Sequence, residues 1–287
     1  MTASVLVLGD VLVDELRTAA GSVDVAGGSA LNVAVGLAVL GVPAVLAGMV
    51  GEDESGDLLR RHAAEHGVTL LTTTAPLGTG RAVSDRTAGE PRYSFSPASR
   101  SRTLVPTDAL RHAAARAELV VVSGFPFDNP AEVITLRALI ADGARLAIDP
   151  NPRPGLLRDH AAFATGLLEV AAGAALVKLG ADDAELIFEV SLAESTARVL
   201  DAGADTVLET AGRDGAAVVR RGERIAVPIA RADGAIIDTM GAGDATFATV
   251  VAALARGTLD PLPVLTRAMA VAAVTIRSSG GLLRLPD

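Results

Sequence analysis

Three features of this 287-residue sequence predict an α/β fold with a mainly parallel sheet flanked by helices. Short apolar runs bounded by turns alternate with helical patterns of about 10–15 residues, the signature of βαβ units. Several of those patterns open on a capping residue and close on glycine. Half of the residues are hydrophobic and only 2% are aromatic, so the core is aliphatic and alanine-rich. The length permits one large domain or two modest ones. No repeat, low-complexity linker or clean boundary divides the chain, which reads as one domain over 1–287.

In chain order, "SVLVLG" (4–9), "AVLAGMV" (44–50), "ELVVVSG" (118–124), "RLAID" (145–149), "ALVKLG" (175–180) and "DTVLET" (205–210) read as fully buried strands. Helical patterns cover 29–40, 55–66, 107–117, 130–142, 160–172, 182–189 and 193–202. Residues 79–105 break the rhythm. Small apolar and polar residues alternate there around "TAGEPR" (87–92), as in a β-hairpin inserted into the α/β body. Polar strands without a helix partner predict a lid or an edge flap, formed mainly by about 10–20 and 79–105. A second hairpin is expected over 215–227, turning at Arg221–Glu223.

Net charge is −9, and the basic residues are scattered rather than clustered. Nucleic acid and anionic membranes are therefore not expected partners. Cysteine is absent, which excludes disulfides and thiolate metal sites. The N-terminal stretch lacks a basic segment and places acids at Asp10, Asp14 and Glu15, so a signal peptide is not expected. A cytoplasmic, reducing compartment is the natural expectation. Residues 25–51 carry no charged side chain, yet Gly27, Gly28, Gly36, Gly41, Pro43 and Gly48 interrupt them. They read as a buried helix followed by a buried strand, not as a membrane span.

Two glycine-rich segments carry the candidate chemistry. In "DTMGAGDATF" (238–247), Gly241, Ala242 and Gly243 precede a helical pattern that runs to Gly257. A helix start offers free N–H groups and partial positive charge to an anion. Asp244 would repel phosphate unless it has a chemical task, such as taking a proton from an attacking hydroxyl. As an isolated residue it could equally serve as a helix cap. The second segment is "GGSALNVAVGLAVLG" (27–41). Gly27 and Gly28 let backbone lie against a ligand, and Asn32 can bond hydroxyl groups; a glycine turn before a closely packed helix is the plain alternative.

Other readings fall away. A dinucleotide fingerprint would need glycine or alanine at Thr246 and a place in the first βαβ unit. The lysine-dependent phosphate loop needs Gly-Lys-Ser/Thr, and the chain's one lysine, Lys178, precedes Leu179. The protein-kinase motifs are absent. "HAAEH" (62–66) has zinc-protease spacing, but its helix stops at Gly67 with no further ligand placed by any pattern. Two histidines at a solvated helix end explain it.

Taken together, the two glycine segments resemble the paired signatures of the ribokinase-like, or PfkB, carbohydrate kinases. Order, spacing and length agree over essentially the whole chain. The resemblance implies a Rossmann-like α/β domain with a small β-sheet lid over a sugar, ATP as phosphoryl donor and Mg²⁺ as its companion. It implies that Asp244 is the catalytic base and that Gly241, Ala242 and Gly243 form the anion hole. It likens Asp14, Gly27, Gly28 and Asn32 to sugar contacts. "DPNPRPGLL" (149–157) resembles a segment of fructokinases and 2-keto-3-deoxygluconate kinases, which brings Arg153 to the substrate. Near the nucleotide, "TAGRDG" (210–215) is similar to a T-x-G-x-x-G loop with Thr210, Gly212 and Gly215, and the resemblance assigns Lys178 to the nucleotide as well.

The segment "VKLGADDAEL" (177–186) departs from the family's N-x-x-E pattern. Gly180 replaces Asn, and Asp183 replaces the Glu that acts on Mg²⁺ through water. Asp238 resembles a member of a monovalent-cation site, where Met240 replaces a common Thr, so K⁺ activation is an open expectation. Ser29 stands where sugar-phosphate kinases tend to carry Lys, which favours an unphosphorylated sugar: fructose-, 2-keto-3-deoxygluconate- or ribose-like. Alternatives are a nucleoside kinase, for which the lid segment supplies only Tyr93 and Phe95 to stack a base, and a non-catalytic sugar- or nucleotide-binding regulator. A homodimer formed through the lid is implied by the resemblance alone.

Overall fold

The computed structural model of the protein describes residues 4–85, 87, 92–140, 143–278 and 280–286. The chain begins with β1 (Val5–Gly9), β2 (Leu12–Thr18), β3 (Gly21–Gly27) and α1 (Ser29–Val39). It continues through β4 (Ala44–Met49), α2 (Glu54–Glu65), β5 (Thr69–Thr73), β6 (Arg81–Asp85), β7 (Arg92–Phe95) and the one-turn α3 (Pro97–Arg100). Then come α4 (Asp108–Arg116), β8 (Leu119–Ser123), α5 (Pro130–Leu139), β9 (Arg145–Asp149), α6 (His160–Ala171), β10 (Leu176–Gly180), α7 (Ala181–Phe188) and α8 (Leu192–Asp201). The last elements are β11 (Val207–Thr210), β12 (Ala216–Arg220), β13 (Glu223–Val227), α9 (Ala242–Ala255) and α10 (Pro261–Thr275).

Nine strands form the main sheet in the order β13-β12-β11-β10-β9-β8-β1-β4-β5. Seven of them run parallel, and the hairpin β12–β13 adds an antiparallel edge. Parallel strands are buried on both faces, which is why the central ones are unbroken apolar runs. Alternation along β1 divides the core. Val5 and Val7 pack with residues of α1, α2, α9 and α10, while Leu6 and Leu8 pack with residues of α4 to α8. No described helix is long and apolar enough to cross a membrane.

A second sheet has the order β3-β2-β6-β7, with β2 and β6 parallel and its other pairs antiparallel. Arg81 on β6 bridges Glu15 on β2 (3.2 Å) and Asp24 on β3 (2.5 Å). The strand content expected across 79–105 is confined to β6 and β7. Pro97 then opens α3 behind the Ser96 cap, because proline is suited to a first helical turn. Of the expected turn at 87–92, residues 88–91 lie outside the described residues. At the entry to β6, Asp53 caps α2 and also accepts from the Thr79 backbone N–H (2.8 Å) and hydroxyl (2.6 Å).

Candidate active site

Strand order reverses between β8 and β1, and in open α/β sheets ligands bind outside the carboxyl ends of the strands at such a point. Asp10 and the Gly28 turn stand there, whereas Lys178 lies on β10 and Thr210 ends β11, further along the sheet. Asp10 follows β1 directly, and its backbone N–H donates to Ser123 O at the end of β8 (3.1 Å). Its carboxylate pairs with Arg102 at 3.0 Å, both side chains being largely enclosed. Burial pushes the Asp10 carboxyl above the usual range, against the pull of Arg102. The two line a cavity of about 50 Å³ together with Thr73, Gly80, Ser99 and Phe125. Neither Asp10 nor Arg102 was given a site role from sequence.

The first glycine turn closes one wall. A side chain on Gly27 would collide with the Asp14 carboxylate, and one on Gly28 with the Asp10 carbonyl oxygen. Gly28 also has φ 96°, which favours glycine. Asp14, on β2, thus lies against the turn. Burial first, then the neighbouring Asp244 carboxylate, pushes its carboxyl up to about 7. Asn32 stands in the first turn of α1.

The second turn closes the other wall. Gly241 occupies the cap position of α9 with φ 78°, and no side chain caps this helix. The cap alternative for Asp244 is therefore replaced by another contact. Asn32 Nδ2 donates to Asp244 Oδ2 at 2.8 Å, across 212 residues of sequence. Burial raises the Asp244 carboxyl above its ordinary value, opposed by that hydrogen bond and by the charges of Lys178 and Arg153. A β-carbon on Gly243 would meet nothing but Lys178, 3.4 Å from Cε and 3.6 Å from Nζ, so the space before the helix start is otherwise open.

Lys178 is 5% exposed and binds Asp149 at 3.0 Å and Asp183 at 3.5 Å. Although burial disfavours the ammonium, these acids raise its pKa. Asp149 ends β9, and burial pushes its carboxyl up to about 6; its Oδ2 is buried without a hydrogen-bond partner. Asp183 accepts from Gly180 N (2.8 Å), so one carboxylate oxygen closes the start of α7. Where the sequence places Gly180, an added β-carbon would approach Asp183 Oδ2 and Thr210 Oγ1. Thr210 ends β11, and Gly212 (φ 52°) and Gly215 (φ 95°) frame the single 3₁₀ turn that follows. Asp238 is buried, accepts from Met240 N (3.1 Å) and donates its own N–H to Ile276 O (3.2 Å). Arg153 is exposed on the turn after β9, where its charge acts on Asp10, Asp14 and Asp244.

A carboxylate at a glycine-lined helix start, faced by hydroxyl-binding groups, is the equipment of a phosphotransferase acting on an alcohol. The chain belongs to the pfkB family of carbohydrate kinases, whose model matches residues 5–287. It is a sugar kinase of that family. It is 31% identical to the fructokinase of Salmonella typhimurium, over 100% of this chain and 97% of that one. To the ATP-dependent 6-phosphofructokinase of Thermoanaerobacterium thermosaccharolyticum it is 27% identical, over 99% and 91%. The crystal structure of fructokinase with bound ATP from Xylella fastidiosa superposes with a TM-score of 0.81 at 22% identity, covering 98% of this chain and 94% of that one.

Proposed function

We propose that the protein transfers the γ-phosphoryl group of ATP to a hydroxyl of an unphosphorylated sugar, with Asp244 as the base. The observation that carries this reading is the meeting of the two glycine turns. Asn32, just after the first, and Asp14, packed against it from β2, lie by Asp244 at the helix start formed by the second. In the reaction the sugar hydroxyl gives its proton to the Asp244 carboxylate, and its oxygen bonds to the γ-phosphorus. The bond from that phosphorus to the β–γ bridging oxygen breaks, and ADP leaves with the electron pair. Burial raises the Asp244 carboxyl above its ordinary value, which makes it a stronger base than a free carboxylate. The first N–H groups of α9, about Gly241–Gly243, would take up charge on the transferred group.

Asp14, Gly27, Gly28 and Arg153 are assigned to the sugar, and Thr210, Gly212 and Gly215 to the nucleotide. Lys178 is buried, so its assigned part is to hold charge beneath the Gly243 turn. Asp183 is assigned to Mg²⁺ through water, and the ion would supply charge neutralisation on the ATP phosphates; Asp149, fully buried against Lys178, is outside that assignment. Asp238 would hold a monovalent ion. The second sheet, joined to the body through Asp53 and Thr79, would serve as the lid that excludes water.

The preference for an unphosphorylated sugar is supported by Ser29 after the double glycine and by relatives that are fructokinases. The 6-phosphofructokinase relative makes fructose 6-phosphate the arm of the test that would overturn it. ADP release is to be measured over fructose, ribose, 2-keto-3-deoxygluconate, nucleosides and fructose 6-phosphate. Turnover on an unphosphorylated sugar is expected; binding without ADP production on every substrate would make the protein a regulator. Asp244→Asn is expected to bind ATP and lose about 10³-fold in kcat, and an undiminished rate would remove Asp244 as the base.

A further inference from the structure

We infer that the C-terminal segment around Gly281 is a spacer that sets the Asn32 amide on Asp244, making Gly281 and Asn32 positioning residues for the base. This rests on the reading of Asp244 given above. Gly281 touches both residues that frame the base. A β-carbon built on it falls 2.8 Å from Asn32 Nδ2 and 3.4 Å from Asn32 Cγ. On its other side, its backbone fills the space in which a side chain on Gly241 would stand.

The need at 281 is for space, not for backbone freedom. Gly280 has φ 82°, whereas Gly281 is not among the glycines with positive φ. The segment is anchored just beyond this contact. Leu283 is 2% exposed beside Gly36 of α1, and Arg284 N donates to the buried Thr275 Oγ1 at the end of α10 (3.1 Å). A methyl group at 281 therefore meets a strap pinned close by, whereas the Asn32 amide is the far end of a flexible side chain. The group free to move is the end of the Asn32 side chain, and moving it breaks the 2.8 Å bond to Asp244. That bond favours the ionised carboxylate, so its loss raises the pKa of Asp244.

The test is Gly281→Ala, read by kcat/KM against pH with ATP and D-fructose and, without catalysis, by ¹³C NMR titration of the Asp244 carboxyl, assigned with Asp244→Asn. The expected result is an unchanged melting temperature. Both the acid limb and the carboxyl titration should move up by about one pH unit, as for one lost hydrogen bond to a charged group. Asn32→Ala should give the same shift, and the double variant no more than either. An unmoved Asp244 titration, or shifts that add, overturns the spacer. Should Gly281→Ala melt early, Asn32→Ala in the same chain removes the group that the methyl meets and should restore the melting temperature; a low value in both also overturns it. An active Asp244→Asn overturns the base instead, leaving the titration result to stand separately.

Discussion

At Gly27 and Gly28 the missing side chains make room for the protein's own oxygens, the Asp14 carboxylate and the Asp10 carbonyl. At Gly243 the corresponding space holds only the edge of Lys178 and is otherwise left open before a helix start. The same residue type thus does two jobs within one site. The first turn presses acids into place and raises the Asp14 pKa by crowding and burial. The second keeps side chains away from N–H groups that a ligand's oxygens can use. The lesson is that a double glycine next to an acid is part of the protein's internal packing, whereas Gly243 at a helix start leaves the space to which the ligand is assigned.

Three substitutions can break or sharpen this contrast. Gly243→Ala should have the largest effect. Its methyl finds ordinary contact distance from Lys178, so the fold is kept, but it enters the space assigned to the phosphoryl group. A displacement on that scale costs about 10²-fold in kcat. A wild-type kcat in steady-state assays would deny the second turn its role. Gly27→Ala comes next, because its methyl would displace the Asp14 carboxylate. The sugar KM should rise about tenfold, the cost of one charge-assisted hydrogen bond, with the ATP KM unmoved; equal changes in both would erase the distinction between the turns.

Asp14→Asn should have the smallest effect, on stability. The folded-state carboxyl titrates at about 7 instead of its ordinary 3.8, so the native state binds the extra proton between those values. Stability of the native chain therefore falls as pH rises through that window and levels off above it. The Asn variant escapes this loss. Its melting temperature should match the wild type near pH 4 and exceed it by about 7 °C at pH 8. An equal gain at both pH values would mean that crowding, not charge, is what Gly27 imposes on Asp14.

The central strands were legible because burial on both faces writes them as continuous apolar runs, such as the "LVVVS" of β8. What the sequence concealed follows from the same rule. The "TLLTT" of β5 is a half-exposed edge strand rich in threonine. In β3 no apolar pattern marks the strand, because Asp24 is held by Arg81 of β6, which also bridges Glu15 of β2. Helix α10 opens with Pro261 and Pro263, which read as breakers, although proline is tolerated in a first turn. Within the site, the spaced glycine motifs located both turns and Asp244. The bond from Asn32 to Asp244 and the pair of Asp10 with Arg102 join residues far apart in the chain, and only the fold brings them together.

Lys178 has one further consequence. It is the chain's single lysine and it is buried beneath the Gly243 turn. Amine-directed reagents therefore find no lysine on the folded surface, and coupling chemistry of that kind leaves every side chain of the native enzyme unmarked. A label arriving at position 178 records an opening of the buried cluster around Asp149 and Asp183, so the residue is a built-in clock for how often the core of this kinase comes apart.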